Sequence, residues 1–368
     1  MKHKKMHKFH QYASIVLFAC MIGFVEGLYF YHYSDRLPQN MIFGVLLLWF
    51  FVLLLSFFIH ILLHEAGHLI FGLIGGYRFL SFRIVNFMWI RENGKIRLRR
   101  FSIPGTGGQC MMLLPESRSD LSRVLYNAGG VLVNLITSIF ALSTAFFTTP
   151  LWALALTAFG LAGSILGLSN GIPFFSETVA NDGANILIMH KNPQAKEAYH
   201  RELMIAAALT QGTRLRDMPD EWFTDVPSSD PLSASISLIT AQRLMDSGDL
   251  SAAEDKLRQL LVPESFLLDL HWNLACAELL YCELVNRNRP EELERLHTPE
   301  LVKFMESVKT TLTALHTRYA WALLAEHDFA AAEGILVQFE KTAARHPYPC
   351  VIEGERELLA RVKEKANP

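Results

Sequence analysis

A chain of 368 residues with a formal net charge of −2 carries no basic excess, so nothing in its charge selects nucleic acid as a partner. Hydrophobic residues make up 51% of it but are spread unevenly: residues 12–175 hold long apolar runs, while 191–368 read as an ordinary soluble chain. The five cysteines (Cys20, Cys110, Cys276, Cys282 and Cys350) form no CxxC pair, which predicts reduced thiols rather than a disulfide framework.

The N-terminus, MKHKKMHKFHQ, is basic and leads into an apolar run over 12–31. A signal peptide begins in the same way, but this run lacks a small-x-small cleavage site and has the length of a membrane span. The polar stretch 32–40 separates it from a second span over 41–63. Two further spans are expected at 124–147 and 151–172, joined by Thr148-Thr149-Pro150. Lysines and arginines crowd the N-terminal tail and segment 77–123, whereas 32–40 carries only Arg36 and 148–150 carries none. The positive-inside rule therefore puts both termini and segment 77–123 in the cytoplasm.

The second apolar run carries no charge until it reaches His64-Glu65-Ala66-Gly67-His68. Ionisable groups inside a membrane are costly and mark functional sites. On a helix, residues i and i+4 share a face, so His64 and His68 can offer two imidazoles to one ion. Glu65 lies about 100° around the helix from His64, placed to hold a water rather than to ligate. This is the zinc-hydrolase pattern, at the cytoplasmic end of a span. His60 falls one turn earlier on the same face, as a further ligand or as a packed or supporting histidine. Cys110 is a potential ligand or, more simply, a packed thiol.

Segment 77–123 predicts a small sheet, with strands over 79–85, 86–93 and 94–103 and a hairpin turn at Asn93-Gly94. Such a sheet could hold an extended substrate by strand addition, or turn its arginines toward lipid phosphates. Gly105 to Gly108 reads as a flexible connection.

A catalytic zinc needs a third protein ligand. Asp182, just after the fourth span and on the same side as the histidines, is the candidate, with Glu177 competing. Asp182 also suits the N-cap of a helix starting near Ala184. HEAGH on a membrane helix, Ala128-Gly129-Gly130 with Asn134, and Asn170-x-x-Pro173 followed by Asp182-Gly183 together resemble the site-2 protease family of intramembrane zinc metalloproteases. The resemblance spans roughly 41–190. It implies one zinc ion held by His64, His68 and Asp182, with Glu65 as general base and Asn134 or Asn170 assisting substrate binding. It also implies a multi-pass protein of a bacterial-type cell membrane, acting on membrane-anchored proteins or peptides near the cytoplasmic side. The family sets its aspartate closer behind the proline than the nine residues separating Pro173 from Asp182, so the loop here is longer. Many bacterial members carry a PDZ domain, and no segment between these spans is long enough to hold one.

Beyond Pro193 the chain reads as amphipathic helices, with a loop or linker over 217–230. AQRLMDSGDLSAAEDKLRQL (241–260) is echoed by AWALLAEHDFAAAEGILVQF (320–339). The echo predicts helical hairpins of tetratricopeptide type or an irregular helical domain, offering a surface to a cytoplasmic protein in either case. The expected architecture is thus mainly α. A membrane-embedded metalloprotease domain (1–190) with a β-rich insertion (77–123) is followed by a helix and linker (191–229) and a soluble all-α domain (230–368). The rival functional reading is a protease-like membrane adaptor without catalysis, which has no need of Glu65.

Overall fold

A computed structural model describes residues 2–33, 42–92, 94–103, 106–114, 120–175, 180–224 and 228–366. Four of the described helices are long and apolar enough to cross a membrane: α1 (Lys2–Tyr33), α2 (Ile42–Ile74), α3 (Asp120–Ala145) and α4 (Pro150–Gly171). Large apolar side chains on them stay uncovered, among them Phe43, Phe51, Phe140 and Trp152. The facing surfaces of α3 and α4 are rich in small residues: Ala153, Ala158 and Ala162 of α4 are buried, as is Ala141 of α3. Apolar residues outside and small residues inside are what a bundle needs when its solvent is lipid, because close backbone approach then replaces the hydrophobic effect. Tyr33 ties α1 to the turn between α3 and α4, its hydroxyl donating to the Ala145 carbonyl at 2.7 Å.

The apolar run over 41–76 predicts one crossing that continues past the motif to Gly75-Gly76, tilted or broken near it, and helix α2 does continue. It runs unbroken through the HEAGH motif to Ile74, about 50 Å at ~1.5 Å per residue against a hydrocarbon layer of about 30 Å. His64 falls about 33 Å along the axis from Ile42, at the far edge of such a layer. The helix stops at Gly76, whose φ of 85° only glycine adopts without strain. The Tyr77 N–H then bonds back to the Gly72 carbonyl and the Gly76 N–H to that of Leu73, a Schellman cap that turns the chain straight into a strand.

The sheet has four antiparallel strands in the order β3-β2-β1-β4: β1 (Arg78–Ile84), β2 (Phe87–Glu92), β3 (Lys95–Arg100) and β4 (Gly108–Leu113). The first three correspond to the strands expected from sequence. Asn93 lies outside the described residues. Gly94 of that turn has φ 78°. The fourth strand includes Gly108, which sequence reading assigned to a loose connection. β4 pairs with β1 and packs against α2.

The C-terminal part is helical throughout. α5 (Asp182–Lys191) and α6 (Pro193–Thr210) lead from the bundle. The stretch expected as a linker is partly packed, with Met218 and Phe223 buried against α6 and α7 (Pro231–Asp246). There follow α8 (Leu250–Leu260), α9 (Asp269–Asn286), α10 (Pro290–Leu296), α11 (Pro299–Ser307), α12 (Leu312–Leu324), α13 (Phe329–Ala343) and α14 (Pro349–Ala366). The sequence echo has a structural counterpart. α7–α8 and α12–α13 are both hairpins, turning at Gly248 (φ 85°) and His327 (φ 54°). Asp249 and Asp328 then cap the second helix of each pair, accepting from Ala252 and Ala331. The matched alanines Ala241 and Ala320, and Ala253 and Ala332, are buried where helices cross.

Candidate metal centre

Helix α2 places His64, Glu65 and His68 on its inward side, all three buried, while Leu62, Ile70, Leu73 and Ile74 of the same stretch stay exposed. They fit there because α3 crosses with no side chain at the contact. A Cβ on Gly67 would stand 2.4–2.8 Å from the Gly129 and Gly130 backbone, and one on Gly130 would meet the His64 ring at 2.6 Å. Two backbones therefore approach closely enough to wall in the imidazoles. The Ala128-Gly129-Gly130 motif serves packing first.

The His68 Nδ1 lies 2.7 Å from the Tyr126 carbonyl of α3. A carbonyl oxygen only accepts, so Nδ1 carries the proton and the Nε2 lone pair faces inward. That Nε2 is 3.1 Å from the His64 Nε2. The Asp182 Oδ2 completes the triangle, 3.1 Å from the His64 Nε2 and 3.5 Å from that of His68. A tetrahedral ion with bonds of about 2.0–2.1 Å needs donors about 3.3–3.4 Å apart, and these three edges bracket that value. Oδ2 is buried and closes no hydrogen bond among the described residues. Two nitrogens and an anionic oxygen at this spacing fit a zinc ion, and His64, His68 and Asp182 could hold one together.

Asp182 is free to face the histidines because its neighbour does the capping. Asn181, not Asp182, is the N-cap of α5: its Oδ1 accepts from the Ala184 and Phe174 N–H groups. Its Nδ2 donates to the Ser169 carbonyl at 2.7 Å and the Ile172 carbonyl at 2.6 Å. Asn181 is thus tied to the end of α4 and to Phe174. Gly183 rests against the Gly171 backbone, where a Cβ would collide. Sequence reading missed Asn181, although an Asn ahead of Asp-Gly-Ala is as good a cap as the Asp. Glu177, the competing ligand, lies outside the described residues.

Glu65 sits beside the triangle and under strand β4. A Cβ on Gly108 would stand 2.6–2.9 Å from the Cγ, Oε1 and Cδ of its side chain, so only glycine lets the strand pass there. The Cys110 backbone N–H faces the Glu65 carboxylate, and the Cys110 carbonyl accepts from the Tyr126 hydroxyl at 2.6 Å. The Cys110 thiol is buried and is not part of the donor cluster. β3 and β4 are the two edge strands of the sheet, and the residues of β3 are nearly all exposed.

The arginines of this region divide. Arg97 and Arg100 are exposed, and Arg99 and Arg97 both pair with Glu92, at 2.9 Å and 3.5 Å. Arg83 is 1% exposed and faces no lipid. Its guanidinium donates to the Val85 carbonyl at 2.7 Å, the Gly108 carbonyl at 3.2 Å and the Thr106 hydroxyl. One buried cation thereby fastens the segment that delivers β4 to Glu65. Nothing in the sequence separated Arg83 from its neighbours except its place in the first strand.

The remaining candidates are close by or apart. Asn134 is fully buried, its carboxamide lying between His60 and His64. His60 stands outside the donor triangle. Asn170, in the last turn of α4, donates to the Leu166 carbonyl of its own helix at 2.9 Å and keeps partial exposure.

The family model of Peptidase family M50, the site-2 protease family, matches residues 51–340. The chain belongs to that family. Its members are in general zinc metallopeptidases, and the M50 match takes in the HEAGH helix, the sheet, Asp182 and most of the C-terminal helices. No curated protein and no solved structure matches the chain.

Proposed function

We propose that this M50 member is an intramembrane zinc endopeptidase cutting a membrane-anchored protein or peptide near the cytoplasmic face of a bacterial-type membrane. The observation that carries the reading is the convergence of His64 Nε2, His68 Nε2 and Asp182 Oδ2 beside Glu65, on a helix apolar enough to span a bilayer. In this reading His64, His68 and Asp182 are the metal ligands and Glu65 is the general base. Bound zinc supplies a water acidic enough to ionise near neutrality and a Lewis acid for the substrate carbonyl. Glu65 takes the proton from the attacking water and returns it to the leaving amide nitrogen as the peptide bond breaks. The Cys110 N–H steadies that carboxylate, and α2, α3 and β4 shield it from bulk water. The substrate helix must unwind locally before its carbonyls are accessible. Asn170, partly exposed beside the Asp182 loop, is the residue best placed to hold the unwound segment.

Both termini, the sheet and the helices from α5 onward lie on the cytoplasmic side in this account, as the lysine and arginine distribution requires. The hairpins α7–α8 and α12–α13 are of tetratricopeptide kind and present a surface to a cytoplasmic protein, a substrate or a regulator. An adaptor without catalysis would have no use for a buried carboxylate beside a metal-ligand pair, and Glu65 is kept. Glu65→Gln preserves shape and removes the base. Co-expressed with tagged single-span proteins, the wild type should release a fragment that the variant retains bound and uncut, and mass spectrometry of the trapped protein identifies the substrate. Equal cleavage by both would end the enzyme reading.

A further inference from the structure

His68 has its proton fixed by a carbonyl; His64 does not. Among the described residues, the polar group at the His64 Nδ1 is the Asn134 carboxamide, whose Nδ2 is 3.3 Å away, and the other end of that amide, Oδ1, is 3.0 Å from the His60 Nδ1. A carboxamide has a donating and an accepting end of nearly equal size, and a half-turn about its last torsion exchanges them. Two arrangements of the row are therefore self-consistent. With the NH2 end on His64, Nδ1 must accept. The His64 proton then sits on Nε2, between His64 and His68 in the middle of the donor triangle, where no ion can bind. With the oxygen end on His64, Nδ1–H donates to Asn134, and the Nε2 lone pair points at the space shared with His68 and Asp182. The NH2 end then donates to the His60 Nδ1, which must be bare, leaving the His60 proton on Nε2. That nitrogen is buried and closes no hydrogen bond among the described residues; the His60 ring lies against Phe159 of α4, whose backbone carbonyl is the acceptor on that side.

We propose that Asn134 is a positioning residue that sets the His64 tautomer for metal ligation, and that His60 orients the Asn134 amide for this task. The inference rests on the zinc reading of the site. It explains why an ionisable residue is buried one turn before the motif without joining the donor triangle. The Phe159 ring lies 4.1 Å from the His60 ring, and a Cβ on Gly163 would strike both His60 and the Ser138 hydroxyl. α4 is thus shaped to hold this imidazole in one orientation. It also moves Asn134 from the substrate to the metal: its amide is enclosed by two histidines and is not open to a peptide.

Zinc affinity measured by competition with a chromophoric chelator, on full-length protein in detergent, tests this without reference to turnover. Asn134→Leu keeps the shape and leaves the His64 tautomer unset, so the zinc dissociation constant should rise about 10- to 100-fold, as supporting partners of metal-bound histidines command. Asn134→Asp keeps an acceptor for the His64 Nδ1–H and should stay within a few-fold of wild type. His60→Leu, with the amide no longer oriented, should fall between them. Melting temperatures of the three variants are read alongside. Leu and Asp variants that lose zinc equally, in step with lost stability, would show a merely structural role and overturn the proposal, as would a Leu variant that binds zinc like wild type. A wild type with no zinc affinity would sink the metal reading itself and this inference with it.

Discussion

Gly130→Ala puts the geometry of the site to a quantitative test. The added methyl would lie 2.6 Å from the His64 Cε1 and Nδ1 and 2.8 Å from Cγ. Ordinary carbon contacts are about 3.5–4.0 Å, so ring or helix must retreat by about 1 Å. A metal ligand tolerates only about 0.2 Å. Overpacking of this kind costs about 1–3 kcal/mol, which corresponds to a loss of roughly 5- to 150-fold in zinc affinity. Helix propensity pushes the other way, since alanine in place of glycine favours a helix by about 1 kcal/mol. The variant should therefore bind zinc more weakly while its melting temperature falls little. Gly44→Ala is the internal control, because nothing lies within 4 Å of its added methyl. Chelator competition on both proteins decides the matter. Equal zinc affinity in the two would refute the claim that the α2–α3 crossing shapes the ligand pair.

Other expectations follow from single groups. Asn181→Ala removes the cap of α5 and two donors to the end of α4, costing about 1–2 kcal/mol; zinc content should drop although Asp182 is intact, and Asn181→Asp should recover it only in part. Arg83→Met strips donors from the Val85, Thr106 and Gly108 oxygens, at about 1–3 kcal/mol for buried groups left unpaired. Hydrogen exchange should quicken over 106–113 and substrate cleavage should slow, with zinc retained. In the C-terminal helices, His316 lies buried between Glu278 (3.0 Å) and Glu355 (2.7 Å). Burial opposes its charge, but the two carboxylates prevail and lift it from 6.5 to about 10. The stabilisation is full below pH 6.5 and is lost as pH rises from there through 10. The melting temperature of the wild type should decline over that window, and the decline attributable to this group should vanish in His316→Gln.

What sequence disclosed and what it concealed divide along physical lines. Spacing on a helix is local, so His64 and His68 could be placed on one face from their numbers alone, and the lengths of apolar runs located four helices. Asp182 was reachable because it follows a span ending on the same side. The assignment of the cap to Asn181 was not, since adjacent Asn and Asp residues satisfy one rule equally and only the hydrogen bonds to Ser169 and Ile172 separate them. β4 was hidden because Gly107 and Gly108 read as a loop, whereas the glycine serves the close passage over Glu65. Arg83 shares its sequence character with several exposed arginines and differs only in burial, a tertiary property. The continuity of α2 to Gly76 follows from its apolar residues, but no span-length rule asks for a helix that outruns the bilayer.

Zinc K-edge absorption on purified protein tests the central claim most directly. Wild type and Glu65→Gln should each hold one zinc ion per chain with two imidazole nitrogens and a carboxylate oxygen among its ligands, and Asp182→Ala should lose the metal or show water in place of the carboxylate. An unchanged zinc environment in Asp182→Ala, or a thiolate among the ligands, would contradict the account.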